Sequence, residues 1–202
     1  MATRLSAFET PSRPSASEVP QNSKPEPSAI DEGFRRLEED IRRAAQISDV
    51  AEREKILITA CLRWAEYDPA DALRVARELG LDEVSNALFE DILQKWADTD
   101  FPAALAWAKR ESAGEQRDRL MARIAFVRSQ TQPEAAAQLV VEQIPSGPTQ
   151  AEAGISVLHQ WALRDFTDAR AWVDRFPADL QDRARAELAA IARYRLARSD
   201  AQ

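Results

Sequence analysis

Apolar residues recur along most of this chain at the spacing of an amphipathic helix. In two successive stretches the apolar positions are Leu57, Ala60, Cys61 and Trp64, and then Phe89, Ile92, Leu93 and Trp96. Steps of three and four residues place such side chains on one face of a helix, so each stretch predicts a helix with a buried face. Gly is scarce and runs of β-branched residues are nearly absent, which favours an all-α protein.

A short phrase returns along the chain at a nearly constant period. It reads WAEYDPADALRV from Trp64, WADTDFPAALAW from Trp96 and WALRDFTDARAW from Trp161, with a degenerate copy, VRSQTQPEAAAQ, from Val127. Three copies share W-A-x-x-D, then Pro or Phe, two variable residues and Ala. Successive copies begin 32, 31 and 34 residues apart, a period typical of stacked helical hairpins.

Each copy predicts the start of a second helix four residues after its first position. The residues at that place are Asp68, Asp100, Thr131 and Asp165. Side-chain oxygens of Asp and Thr accept hydrogen bonds from the free amides of a helix N-terminus, so these residues are expected to cap it. Pro69 fits the first turn that follows, and Glu134 stands at capping-box spacing from Thr131.

Two further columns of the repeat predict how the second helices pack and end. Four residues beyond the caps stand Ala72, Ala104, Ala135 and Ala169, and the bulky column three residues later holds Val75, Trp107, Gln138 and Trp172. A small residue at a constant position permits close approach of neighbouring helices, and Gln138 is the exception among the bulky residues. The second helices are expected to stop at Gly80, Gly114, the 145–147 turn and Pro177.

The run LRWAEYDPADALRVAREL, from Leu62 to Leu79, resembles the helix–helix junction of a tetratricopeptide repeat. The period is close to that of this family, and the resemblance extends over roughly residues 50–196. It implies an all-α fold, a right-handed α-solenoid of stacked antiparallel helical hairpins. It also implies a scaffold for protein partners, and it carries over no catalytic residue.

The repeat and its flanks divide the chain into three parts. Residues 1–29 hold six serines and five prolines with few apolar anchors, so they are expected to be a disordered tail. Residues 30–47 predict an N-terminal capping helix that begins at Asp31. Residues 48–198 predict the array, with hairpins at about 50–80, 82–112, 115–144 and 149–176 and a C-terminal capping helix from 178 that places Tyr194 in the aromatic column.

Composition narrows the classes of partner and the compartment. A net charge of −7 argues against general affinity for nucleic acid. A single cysteine excludes an intramolecular disulfide, and no apolar stretch approaches the roughly 20 residues of a membrane span. The first thirty residues lack a secretory h-region, so a cytoplasmic protein is expected. The alternative is a secreted or periplasmic protein whose signal lies upstream of residue 1.

No constellation of residues predicts catalysis, a metal, a cofactor or a small-molecule substrate. The single histidine, His159, is expected at a helix surface, and Cys61 as a buried small hydrophobe. Carboxylates fall at helix starts or alternate with Arg, and a glycine-rich phosphate loop is missing. We therefore expect no enzyme. The five tryptophans fall in two columns of the repeat, which favours packing over a ligand cage.

Function is expected at the residues just before the aromatic column. They are Arg63, Lys95, Phe126 and Gln160, and their chemical type changes from copy to copy. Arg63, Lys95 and Gln160 are the candidate partner-binding residues, in a concave groove that holds an acidic or mixed peptide or a protein. The alternative is a secreted effector or cell-envelope accessory delivered by its tail, since Ser/Pro-rich N-termini resemble those of exported bacterial effectors.

Overall fold

The structure of the protein is a computed structural model that describes residues 28–199. Its helices are α1 (Ala29–Ala44), α2 (Val50–Trp64), α3 (Pro69–Glu78), α4 (Leu81–Val84), α5 (Asn86–Thr99), α6 (Phe101–Ala108), α7 (Glu115–Ser129), α8 (Pro133–Gln143), α9 (Pro148–Arg164), α10 (Phe166–Trp172) and α11 (Ala178–Ser199). A 3-10 turn, Val173–Arg175, follows α10. The described residues contain helices and no strand, so the all-α prediction is confirmed. The predicted tail, 1–29, lies outside the described residues except for its last two.

Three of the predicted caps are confirmed. The Asp68 carboxylate accepts a hydrogen bond from the Asp71 amide at 2.9 Å, and Asp100 and Asp165 make the equivalent bonds at 3.1 and 3.0 Å. The predicted cap of α1 is wrong by one turn. Ser28 is the cap, and Asp31 stands three residues inside, where its side chain accepts from the Ser28 amide at 3.1 Å. This capping box satisfies two free amides at once and so fixes the earlier start.

The third copy of the repeat stands one residue later than predicted. Helix α8 begins at Pro133, so Gln132 is its N-cap, and no side chain caps the amides there, which rules out Thr131 as the cap. The φ angle of proline suits the first helical position, and this places the start of α8. The column of fully buried alanines, each 0 % exposed, is therefore Ala72, Ala104, Ala136 and Ala169.

The same shift corrects the two columns of large residues. In the bulky column Leu139, which packs against the core, replaces the exposed Gln138, so the apparent exception disappears. In the aromatic column Arg128 replaces Val127, and its guanidinium lies over the Phe101 ring, 4.5 Å from the centroid. The four copies then begin 32, 32 and 33 residues apart, a more regular period than the sequence alignment gave.

Neighbouring helices pack in a regular order. Helices α2, α5, α7 and α9 each pack against the helix that follows them, namely α3, α6, α8 and α10. The first of these helices also pack on one another, α5 on α7 and α7 on α9, and α11 packs on α9 while α1 covers α2. The buried side chains form one cluster that runs from Leu37 in α1 to Ile191 in α11.

Arginines tie successive first helices together at their C-terminal ends. Arg164 of α9 donates to the carbonyl oxygens of Ser129 and Gln130 at the end of α7. Arg195 of α11 donates to those of Ala162 and Leu163 at the end of α9, at 2.6 and 2.8 Å. These carbonyls have no partner within their own helix, so a cation there both satisfies them and favours the helix dipole.

Gly154 is a position of close helix packing. A Cβ atom at this buried glycine of α9 would come within 2.8 Å of Leu180 Cδ2 in α11, closer than packed atoms approach. The tryptophans differ among themselves. Trp64, Trp161 and Trp172 are at most 6 % exposed, whereas Trp96 and Trp107 are only partly buried. Packing alone therefore accounts for three of the five rings.

The corrected register predicts that the same substitution affects stability very differently at two adjacent residues. Ala136→Leu should lower the free energy of unfolding by about 1–3 kcal/mol, because the added side chain has no space in the core. Ala135→Leu, at a partly exposed position of the same helix, should change it by less than about 0.5 kcal/mol. Urea denaturation of the two variants measures the difference. A larger loss for Ala135→Leu would restore the register predicted from the sequence.

Candidate partner-binding groove

A cavity of about 540 Å³ lies between the C-terminal end of α2 and helix α5. Its apolar floor is formed by Leu62, Ala65, Pro69, Ile92 and Trp96. Its rim carries Glu66, Tyr67, Lys95, Asp98, Thr99 and Asp100. An apolar floor with a few polar groups on the rim is the usual composition of a ligand-binding groove.

The groove lies where the first helices of two neighbouring hairpins contact each other least. After α3 the chain turns at Gly80, whose φ of +71° lies in the left-handed region that glycine adopts without strain. The short helix α4 follows and packs against both α3 and α5. Helices α2 and α5 meet over few residues, whereas α5 packs along α7 and α7 along α9.

A smaller cavity of about 110 Å³ adjoins the groove on the side of α1. Glu66 and Tyr67 line both cavities, so these two residues form the ridge between them. The Tyr67 ring stacks on Trp64 at a centroid distance of 6.0 Å and is 43 % exposed. Helix α1 approaches this pair at Gly33, where a Cβ atom would lie 3.0 Å from the Tyr67 ring.

Arg63 lines the smaller cavity and also has a partner within the fold. Its guanidinium pairs with the carboxylate of Asp40 in α1, which is 8 % exposed and also accepts from Arg43 at 2.6 Å. A buried carboxylate requires such partners, because removal from water destabilises its charge. The sequence analysis missed this pair. The position of Asp40 could have indicated the pair, since Asp40 stands three residues after Leu37 on the buried face of α1.

Lys95 and Gln160 lie in different surroundings. Lys95 is exposed on α5 at the rim of the groove, and within the described residues it makes no ion pair. Gln160 is partly buried on α9 and lines a separate cavity of about 330 Å³, together with His159 and Glu187. The structure thus brings Arg63 and Lys95 to adjoining cavities and places Gln160 elsewhere. Whether any of the three binds a partner stays a prediction.

Two aromatic residues of the groove were not among the candidates from the sequence. Tyr67 stands in the turn between α2 and α3, and the repeat pattern gave no reason to select it. Trp96 was assigned to packing alone, yet it is partly exposed and forms part of the groove floor. The sequence could not distinguish Trp96 from Trp64 or Trp161, which stand in the same repeat column. The exposure of Trp96 depends on the separation of α2 from α5.

The two residues considered for nucleophilic chemistry lie in separate environments. Burial raises the pKa of the Cys61 thiol to about 11, and its side chain is 0 % exposed within the core. His159 Nδ1 lies 2.6 Å from Glu187 Oε1, a contact that joins α9 to α11. Over residues 28–199 no three His, Cys, Asp or Glu side chains are grouped so that they could hold a metal ion.

Comparisons with protein-family models, with curated proteins and with solved structures found no match to this chain. The tetratricopeptide resemblance therefore rests on the sequence pattern alone. None of the helices described is both long enough and apolar enough to cross a membrane.

The Arg63–Asp40 pair predicts that the two basic candidates differ in their effect on stability. Arg63→Ala should lower the free energy of unfolding by about 1 kcal/mol, because Asp40 loses one of two cationic partners. Lys95→Ala should change it by less than about 0.5 kcal/mol. Chemical denaturation measures both, and in an Asp40→Asn background the effect of Arg63→Ala should shrink. Equal effects of Arg63→Ala in the two backgrounds would contradict the role of the pair.

The environment of Cys61 predicts a thiol that reacts only after unfolding. At pH 8 the folded thiol stays protonated, because its pKa is about 11, and its sulfur is shielded from reagents. 5,5′-Dithiobis(2-nitrobenzoic acid) should therefore label the native protein far more slowly than the protein in guanidinium chloride. Cys61→Ser is the control for background colour. Rapid labelling of the native protein would show that α2 is not packed as described.

Proposed function

We propose that the protein is a protein–protein interaction scaffold built as a right-handed α-solenoid of stacked antiparallel helical hairpins. The order of contacts supports this arrangement, since successive first helices pack on one another and each packs on its own second helix. The hydrogen bonds of Arg164 in α9 to α7, and of Arg195 in α11 to α9, join residues that are 32 to 35 positions apart. This separation is close to the repeat period. Such arrays function by presenting an extended surface to a partner.

The groove between α2 and α5 is the observation that carries the proposed function. Its volume of about 540 Å³ leaves room for side chains of a bound peptide, and it is open to solvent. Exposed aromatic residues such as Tyr67 and the partly exposed Trp96 dominate the energetics of many protein interfaces. Charged side chains at the rim, Glu66, Lys95 and Asp98, make no ion pair with any described residue. We infer that a peptide segment of a partner occupies this groove.

A crosslinking experiment tests the location of the partner. p-Benzoylphenylalanine replaces Thr99 at the rim of the groove, or Leu163 at an exposed position on α9 as a control, in the full chain within its native cells. A partner bound in the groove should crosslink at position 99 and not at position 163. Crosslinks at position 163 alone would place the partner on another face.

The captured partner, once purified, tests the contribution of the groove to affinity. Tyr67→Ala removes a side chain that is 43 % exposed, and the matched control Leu163→Ala removes one that is 47 % exposed. Tyr67→Ala should weaken binding about tenfold or more, as removal of an interface anchor does. Leu163→Ala should leave the dissociation constant unchanged. Equal affinity of the Tyr67→Ala and native proteins would overturn the proposed site.

A further inference from the structure

Arginines of the chain itself lie over aromatic rings where neighbouring hairpins meet. Arg77 of α3 lies over the ring of Phe89 in α5, at 5.6 Å from the centroid. Arg128 of α7 lies over the ring of Phe101, the first residue of α6, at 4.5 Å from the centroid. Arg195 of α11 lies over the ring of Phe166, the first residue of α10, at 5.4 Å. Arg175 of the 3-10 turn pairs instead with Glu134 of α8 at 2.6 Å, and both line a cavity with Trp161. A guanidinium over an aromatic ring thus recurs between neighbouring hairpins.

The groove between α2 and α5 has a ring, that of Trp96, without a guanidinium over it. Pro69 and Pro133 stand where Phe101 and Phe166 stand in the other copies, and Trp96 and Trp161 take the place of Arg128. Lys95 does not substitute for the missing cation. It neighbours Trp96 in the helix, so the two side chains point about 100° apart. The described residues show no cation over the Trp96 ring.

The charges of the groove favour a cation from outside. Glu66 and Asp98 lie on its rim and make no ion pair with any described residue. Asp100 adds a third carboxylate, which already accepts from the Ala103 amide. Lys95 is the one basic residue among the eleven that line the cavity. The rim therefore carries a net negative charge around a partly exposed indole ring.

We propose that the groove binds an arginine side chain of a partner peptide, with the guanidinium near the Trp96 and Tyr67 rings and paired with Glu66 and Asp98. This inference rests on the proposed scaffold function and specifies its ligand. It replaces the acidic or mixed peptide expected from Arg63 and Lys95 by a basic one. Arginine suits the site better than lysine, because its planar guanidinium stacks on rings and also pairs with carboxylates.

Matched synthetic peptides test the choice of side chain. The probes are Gly-Ser-Leu-Xaa-Leu-Ser-Gly, in which Xaa is arginine, lysine, citrulline or glutamate. They are titrated into the ¹⁵N-labelled full chain, and the indole N–H signal of Trp96, assigned with Trp96→Phe, reports occupancy of the groove. The arginine peptide should bind about tenfold more tightly than its neutral analogue with citrulline, and the glutamate peptide most weakly.

Two pairs of substitutions separate local from overall charge. Glu66→Gln with Asp98→Asn should abolish the preference for arginine over citrulline. Glu38→Gln with Glu39→Gln, on the exposed face of α1, changes the net charge equally and should leave the preference intact. Lys95→Ala should strengthen binding of the arginine peptide, because it removes a like charge. A preference unaffected by the first pair, or weaker binding by Lys95→Ala, would overturn the proposal.

The remaining outcomes distinguish this inference from the proposed function. Equal affinity for the arginine and citrulline peptides, or no shift of the Trp96 signal with either, would overturn the arginine site. Crosslinking at position 99 would still support the scaffold. If Arg4→Ala or Arg13→Ala shifts the Trp96 signal in the peptide-free protein, the occupant is the chain's own N-terminal segment, and the proposal of a partner's arginine is wrong.

Discussion

The whole arrangement depends on how closely each second helix can approach its neighbours. One residue in each hairpin, four positions after the N-cap, sets that approach, and it is a fully buried alanine in every copy: Ala72, Ala104, Ala136 and Ala169. A larger side chain there would hold the helices apart, and the tryptophan and leucine side chains around it would lose their contacts. The N-caps, four residues before these alanines, contribute to the same packing, because they fix where the second helix begins and so which of its residues faces the core.

Arginine side chains stabilise the ends and edges of the hairpins. Arg164 and Arg195 satisfy carbonyl oxygens where α7 and α9 end, and Arg128 stacks on an aromatic ring between α6 and α7. Lysine could not replace these contacts, since it lacks the planar fork and binds water more strongly.

The sequence predicted those features of the fold that depend on local chemistry. The period, three of the four repeat caps and the order of the helices followed from the residues within each hairpin. The third copy was misplaced because Val127 and Thr131 looked like an apolar position and a cap. The backbone instead starts α8 at Pro133, where proline has the φ angle of a first turn. In this degenerate copy, the backbone constraint of one proline located the start of the helix better than the match of residue types did.

The candidate site was harder to predict, because its features arise between elements. Lys95 is exposed, but the groove beside it lies where α2 and α5 meet over few residues, next to the short helix α4. The partner of Arg63 lies in α1, 23 residues earlier, and no repeat position could indicate that contact. Gln160 has the same repeat position as Lys95, yet it lines a cavity between α9 and α11, whereas Lys95 lines the groove between α5 and α2.

The capping helix and the groove are physically coupled. Gly33 lets α1 approach the Trp64 and Tyr67 rings, and the Asp40–Arg63 pair holds α1 on α2. Tyr67 is thereby fixed on the ridge between the two cavities, in contact with Trp64 on one side and facing the groove on the other. A side chain that is already ordered loses less conformational entropy when a ligand binds. Helix α1 thus covers α2 and also gives the groove a preformed aromatic wall.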